Sequence, residues 1–121
     1  MARVFVYGSL REGEINHGVM AGARRIGPAT TRRGIGLVQV GPYPSLVFEP
    51  VEKLAGQCVR GELYEVDDAG LARLDEFEGH PDWFARVEIT LDDGSLVMAY
   101  AMSAAATVGL PLIERGDWSS R

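Results

Sequence analysis

Cysteine is almost missing from this chain of 121 residues: Cys58 stands alone. A single cysteine excludes an intrachain disulfide and a cysteine-built zinc cluster. It fits a reducing compartment. Within an expected strand from Cys58 to Val66, it reads as a small buried side chain rather than a nucleophile. Histidine is nearly as scarce, with only His17 and His80. Neither belongs to a His-Glu-x-x-His pattern or stands at ligand spacing from Cys58, so no metal site is expected. Basic charge is also short: 12 Lys and Arg stand against 17 Asp and Glu, a net charge of -5. Phosphate neutralisation needs the opposite balance, which argues against a nucleic-acid partner. Arg24-Arg25 and Arg32-Arg33 read as solvated surface pairs. Long apolar runs are absent too. The apolar run within Met1 to Tyr7 is too short for a signal peptide, which needs roughly 7–15 apolar residues. Nothing approaches the roughly 18–20 of a membrane span. The expected location is therefore cytoplasmic, with no membrane partner.

What is present is an ordinary globular composition, 46% hydrophobic and 24% charged, enough for one domain over residues 1–121 with a real core. Val4-Phe5-Val6-Tyr7 reads as a buried strand that breaks at Gly8-Ser9-Leu10. Asn16 can cap a short helix from His17 to Ala23, which Gly27-Pro28 ends. Ala29 to Val40 is rich in Thr, Ile and Val and reads as one long strand, with Gly34 and Gly36 marking a bulge. Gly41-Pro42-Tyr43-Pro44 is a stiff turn, Ser45 to Glu49 a strand and Pro50 to Gly56 a loop. Asp67 can cap a helix from Asp68 to Phe77, stopped by Gly79, His80 and Pro81. Phe84 to Leu91 and Ser95 to Ala101 are strands joined by the hairpin signal Asp92-Asp93-Gly94. The tail from Thr107 reads as irregular. Strands outnumber helices and do not alternate with them regularly. The fold class is therefore α+β, a small curved or closed sheet with short helices against it.

Two segments point to chemistry. A helical residue advances about 100°, so Leu71, Leu74 and Glu78 return to nearly one side while Glu76 points away. The helix that buries the leucines turns Glu78 inward, where ionisation is costly. The other reading is a carboxylate that escapes to water as the last turn frays. Asp75 flanks the same face and could be a second carboxylate or a local cap. The second segment is Tyr7-Gly8-Ser9-Leu10. A strand that stops at glycine leaves backbone N–H groups without ladder partners, a cradle for a carboxylate or an oxyanion. An ordinary turn is the other reading. The segment lacks the Gly-Lys-Ser/Thr ending of a phosphate loop and the second glycine of a nucleophile elbow. Ser9, His80 and a carboxylate could make a hydrolase triad if the fold brought them together. Of the aromatics Tyr7, Tyr43, Tyr64, Trp83, Phe84 and Tyr100, most read as core, with one or two left to line a pocket.

These residues together resemble the gamma-glutamylcyclotransferase-like family, and within it the gamma-glutamylamine cyclotransferases. Val4-Phe5-Val6-Tyr7-Gly8-Ser9-Leu10 is similar to the family's substrate loop, and Gly61-Glu62-Leu63-Tyr64-Glu65-Val66-Asp67 to its central strand. Leu74-Asp75-Glu76-Phe77-Glu78 looks like the segment that bears its catalytic glutamate, at Glu78. Phe84-Ala85-Arg86 resembles its aromatic-x-Arg strand opening, with phenylalanine where the family often has tyrosine. Gly116-Asp117-Trp118 looks like the tail of small bacterial members.

The resemblance implies a small mixed β-barrel with short flanking helices. It implies an enzyme that converts a small-molecule gamma-glutamyl amine to 5-oxoproline and a free amine. Glu78 would be the general acid/base, Tyr7, Gly8, Ser9 and Leu10 the substrate-binding loop, and no cofactor would be needed. Arg86 is either a substrate-carboxylate partner or half of a structural ion pair. Some small members lack the glutamate. A rival from another class is therefore a non-catalytic module on the same fold that binds a small carboxylate or docks a protein.

Overall fold

A computed structural model describes residues 1–48 and 54–118. The strands are β1 (Ala2–Val6), β2 (Arg24–Thr30), β3 (Ile35–Val40), β4 (Tyr43–Phe48), β5 (Arg60–Val66), β6 (Ala85–Thr90) and β7 (Leu96–Ala101). The helices are α1 (Asp68–Glu78) and the short α2 (Ala104–Thr107). Five strands form one sheet in the order β2-β5-β1-β7-β6, and β3 and β4 form a separate hairpin. β1 runs antiparallel to β5 and parallel to β7, so the sheet is mixed.

β1 is the centre of the molecule because both of its faces are buried. Phe5 and Tyr7 enter one core with Leu37 and Leu46 of the hairpin. Val4 and Val6 enter another with Leu74 of α1 and with Tyr64 and Tyr100. A strand packed on two sides reads as a continuous apolar run, as Val4-Phe5-Val6-Tyr7 does. The same alternation sorts β7, whose Val97, Ala99 and Ala101 face the hairpin side while Tyr100 faces the helix side. The α+β class is as expected, with hairpin and helix on opposite faces of the sheet.

The closed barrel is not found. Among the described residues the edges β2 and β6 meet at one place, the isolated Thr31–Leu91 bridge. It is made by Arg32 N–H to the Thr90 carbonyl at 3.0 Å and Asp92 N–H to the Thr30 carbonyl at 2.9 Å.

Ala29 to Val40 is not one strand. The chain leaves the main sheet after Thr31, turns through Gly34 at φ 94° and starts the hairpin at Ile35. β2 in turn begins as early as Arg24, with its irregularity between Arg25 and Gly27 rather than at Gly34 or Gly36. The helix expected from His17 shrinks to a single 3-10 turn, His17–Met20. Asn16 does not cap it; its side chain turns back to Ser9 instead. Tyr43 and Pro44 belong to β4 rather than to the preceding turn. Cys58 precedes β5 and is only half-buried.

Helix α1 ends one residue beyond expectation, at Glu78 itself. Its start is fixed by Asp67, whose carboxylate accepts from the Gly70 N–H at 2.7 Å. Such a cap contributes about 1 kcal/mol. Its end is fixed by Gly79 in the left-handed region at φ 71°, with the His80 N–H returning to the Asp75 carbonyl at 2.9 Å. Both ends are tied down, so the last turn does not fray.

The expected strand end at Glu49 and much of the expected loop from Pro50 lie outside the described residues. The tail is more ordered than its composition suggests. Ile113 N–H donates to the Leu37 carbonyl at 2.7 Å and Gln39 N–H to the Pro111 carbonyl at 2.9 Å, which adds a strip to the hairpin edge. Trp118 then closes the hairpin-side core, 3% exposed. No helix among the described residues is long and apolar enough to cross a membrane.

Candidate active site

β1 stops where Gly8 meets the hairpin. A Cβ on Gly8 would lie 2.8 Å from Pro44 Cγ, so only glycine lets β4 come this close. The chain then folds back: Arg11 N–H donates to the Gly8 carbonyl at 3.0 Å and Asn16 N–H to the Ser9 carbonyl at 2.9 Å. Both bonds use carbonyls of the loop. Among the described residues the N–H groups of Gly8, Ser9 and Leu10 have no backbone acceptor. Unspent donors clustered at a strand end are what an anionic group would seek.

Below the loop, a second set of bonds holds it from outside. Glu62 on β5 accepts from the Glu12 N–H at 2.9 Å, from Arg11 Nε at 3.2 Å and from the Tyr64 hydroxyl at 3.0 Å. Burial opposes ionisation of Glu62, but these donors outweigh it and hold its carboxyl below the usual carboxylate range. Arg11 also reaches Asp117 at 2.7 Å, which ties the loop to the tail.

The loop and Glu78 face one cavity of about 290 Å³. Gly8, Ser9, Leu10 and Asn16 line one side, Glu78 and Phe77 another, and Tyr43, Pro44, Trp83 and Phe84 a third. Tyr7 and Tyr100 lie in its floor. Among the described residues Glu78 makes no salt bridge and no side-chain hydrogen bond. Burial alone pushes its carboxyl up to about 7 from an ordinary 4.5. An unpaired carboxyl with that value exchanges a proton near neutral pH, as a general acid/base must.

The other polar groups near the cavity are committed. The Tyr7 hydroxyl donates to the Tyr100 carbonyl at 2.5 Å and accepts from the Leu46 N–H at 3.4 Å. Burial first, then the nearby Glu78, drives its ionisation far above the usual range. Tyr7 thus supplies a ring to the cavity and a joint to the fold. The Tyr100 hydroxyl donates to Asp75 at 2.5 Å, and Arg86 Nε lies 3.5 Å from the same carboxylate. Asp75 is therefore spent on a Tyr–Asp–Arg chain, and Arg86 is half of a structural pair. Ser9 Oγ accepts from Asn16 Nδ2 at 3.0 Å, while His80 Nδ1 accepts from the Arg86 N–H at 2.9 Å. His80 is not among the lining residues, so no Ser–His triad forms.

Asn16, Pro44 and Phe77 also line the cavity, although the sequence reading assigns them elsewhere. Asn16 looks like a helix cap, Pro44 like part of a turn and Phe77 like the last residue of the helix. Among the described residues no group of three or more His, Cys, Asp or Glu is placed to hold a metal ion.

Comparison with known proteins identifies the family of the fold. A family model described as gamma-glutamyl cyclotransferase, AIG2-like, matches residues 4–120. A putative gamma-glutamylcyclotransferase of Methanocaldococcus jannaschii is 36% identical over 121 residues, covering 98% of this chain and 96% of its own. The gamma-glutamylaminecyclotransferase of Rattus norvegicus is 40% identical over 96 residues, covering 74% of this chain and 62% of its own. The crystal structure of an AIG2-like protein of Mus musculus superposes with a TM-score of 0.77 at 33% identity, over 94% of this chain and 86% of that one. With nearly its whole length matched and its sheet, hairpin and helix reproduced, the chain belongs to the AIG2-like gamma-glutamyl cyclotransferase family.

Proposed function

We propose that this protein cyclises a gamma-glutamyl amine to 5-oxoproline and releases the free amine. The observation that carries the reading is the shared cavity. Glu78, half-buried and with no partner for its carboxyl, and Gly8, Ser9 and Leu10, whose N–H groups have no backbone acceptor among the described residues, line the same space.

The chemistry needs few parts. The substrate's α-nitrogen attacks its own γ-carbonyl carbon, and a new C–N bond closes a five-membered ring. The carbonyl oxygen becomes an oxyanion, which the loop N–H groups stabilise. Glu78 accepts the proton from the attacking nitrogen and gives it to the leaving nitrogen, and the old C–N bond breaks. One proton moves between two nitrogens, and nothing is oxidised or reduced. Both reacting groups belong to one molecule, so folding the substrate correctly supplies several of the roughly 7–11 kcal/mol available to well-oriented intramolecular reactions.

Glu78→Gln keeps the shape and removes the proton carrier. It should lower 5-oxoproline release from gamma-glutamyl amines by about 10²–10⁴-fold while the circular dichroism spectrum stays unchanged. Wild-type turnover in that variant would overturn the role of Glu78. Binding of the same amines by the unmodified protein without any product would favour a non-catalytic module.

A further inference from the structure

The mechanism uses one end of the cavity and leaves the other unexplained. That other end is aromatic. Tyr43, Trp83 and Phe84 form a three-ring cluster with centroids 5.3, 5.4 and 6.0 Å apart. Phe77 continues it on the helix side. Trp83 is 46% exposed and Phe77 38%. Large rings left uncovered at a cavity rim are surface for a ligand to cover.

Charge at this end is one-sided. Among the described residues no Lys or Arg lines the cavity. Arg86, two residues past Phe84, is held by Asp75. Arg73 lies in a neighbouring groove and donates to the Ala21 carbonyl at 3.2 Å. The chain neighbours of the exposed rings are acids: Glu76 precedes Phe77, and Asp82 precedes Trp83. A carboxylate brought here would find no cation among the described lining residues of the cavity and would lose its hydration.

We propose that the amine half of the substrate is a primary amine with an aromatic or similarly apolar skeleton and no carboxylate. The glutamyl half sits between the loop and Glu78. The amine's skeleton lies on Trp83 and Phe77. This rests on the cyclotransferase reading for the chemistry, but not for the binding.

Binding can therefore be measured apart from turnover. Glu78→Gln protein is titrated by calorimetry with gamma-glutamyl-phenethylamine, gamma-glutamyl-phenylalanine and gamma-glutamyl-methylamine. The first two differ by one carboxylate, and the first and third by the aromatic group. The phenethylamine conjugate should bind about tenfold or more tightly than either of the others. Trp83→Ala in the same background should remove most of its advantage over the methylamine conjugate and leave the latter's affinity unchanged. Because Trp83 is half exposed, this substitution opens no core cavity. Equal or tighter binding of the phenylalanine or methylamine conjugate overturns the proposal, as does failure of all three to bind at millimolar concentration. Turnover by the unmodified protein separates the two ideas. The expected binding order without 5-oxoproline would remove the cyclotransferase reading and keep the amine class. Product formed preferentially from the phenylalanine conjugate would do the reverse.

Discussion

Glu78 carries a cost that can be measured without any substrate. Its folded-state value of about 7 lies above the 4.5 of an unstructured carboxyl. Between those values the folded protein holds a proton that the unfolded chain has released. The group's contribution to stability is thus fully present below about pH 4.5 and is lost as pH rises through 7. Urea unfolding of wild type and Glu78→Gln should show this directly. The stability of wild type relative to the variant should fall by about 2 kcal/mol between roughly pH 5 and pH 8. A constant difference would mean the carboxyl is solvated. Helical periodicity alone places Glu78 on the side of Leu74, and that much is legible in the sequence. What the sequence leaves open is whether the last turn frays. Gly79 and the His80–Asp75 bond settle that locally. The commitments of Tyr7, Asp75 and Arg86 are not legible, because each partner comes from a distant strand or helix.

Between elements, the decisive contact is Gly8 against Pro44. Gly8 looks like an ordinary strand breaker, and its sequence neighbours give no hint of β4. Yet its missing side chain sets the distance from the loop to the hairpin, and so the width of the cavity. Gly8→Ala would press a methyl to 2.8 and 3.0 Å from two atoms of a proline ring that cannot rotate away. The variant should lose about 1–3 kcal/mol in urea unfolding. Its 5-oxoproline release should drop on the order of 10²-fold, because a small displacement of the loop misaligns the reaction. If stability falls but turnover does not, the loop's position is not critical. The split between β2 and β3 was hidden for another reason. Residues 29–40 have strand-forming composition throughout, and local propensity does not say which sheet a residue joins. Nor does it give the strand order. The parallel β1–β7 pair joins segments far apart in sequence.

For the molecule as a whole, the tail is structural although it looks irregular. It lacks the periodicity of a strand or helix because it is held by single bonds to several elements rather than by a ladder. Arg60 N–H reaches the Gly116 carbonyl at 2.8 Å, Arg11 reaches Asp117, and Trp118 fills the hairpin-side core. Trp118→Ala should cost about 3–5 kcal/mol by chemical denaturation, the range for emptying a buried aromatic site. Because Asp117 and Arg11 link the tail to the loop proposed to hold the substrate, the variant should also bind gamma-glutamyl amines more weakly. A change below about 1 kcal/mol would show that the tail merely lies on the surface.

The single bridge between Thr31 and Leu91 has a consequence for how this protein behaves at high concentration. An open sheet has two raw edges, and each can recruit a strand from a neighbouring copy. Here the β2 edge is spoiled as a template. The bridge draws its end to that of β6, the register of β2 slips between Arg25 and Gly27, and Pro28 has no N–H to offer. Neighbouring copies therefore meet no long regular edge on β2, and fibril-like growth along that edge is denied its first rung.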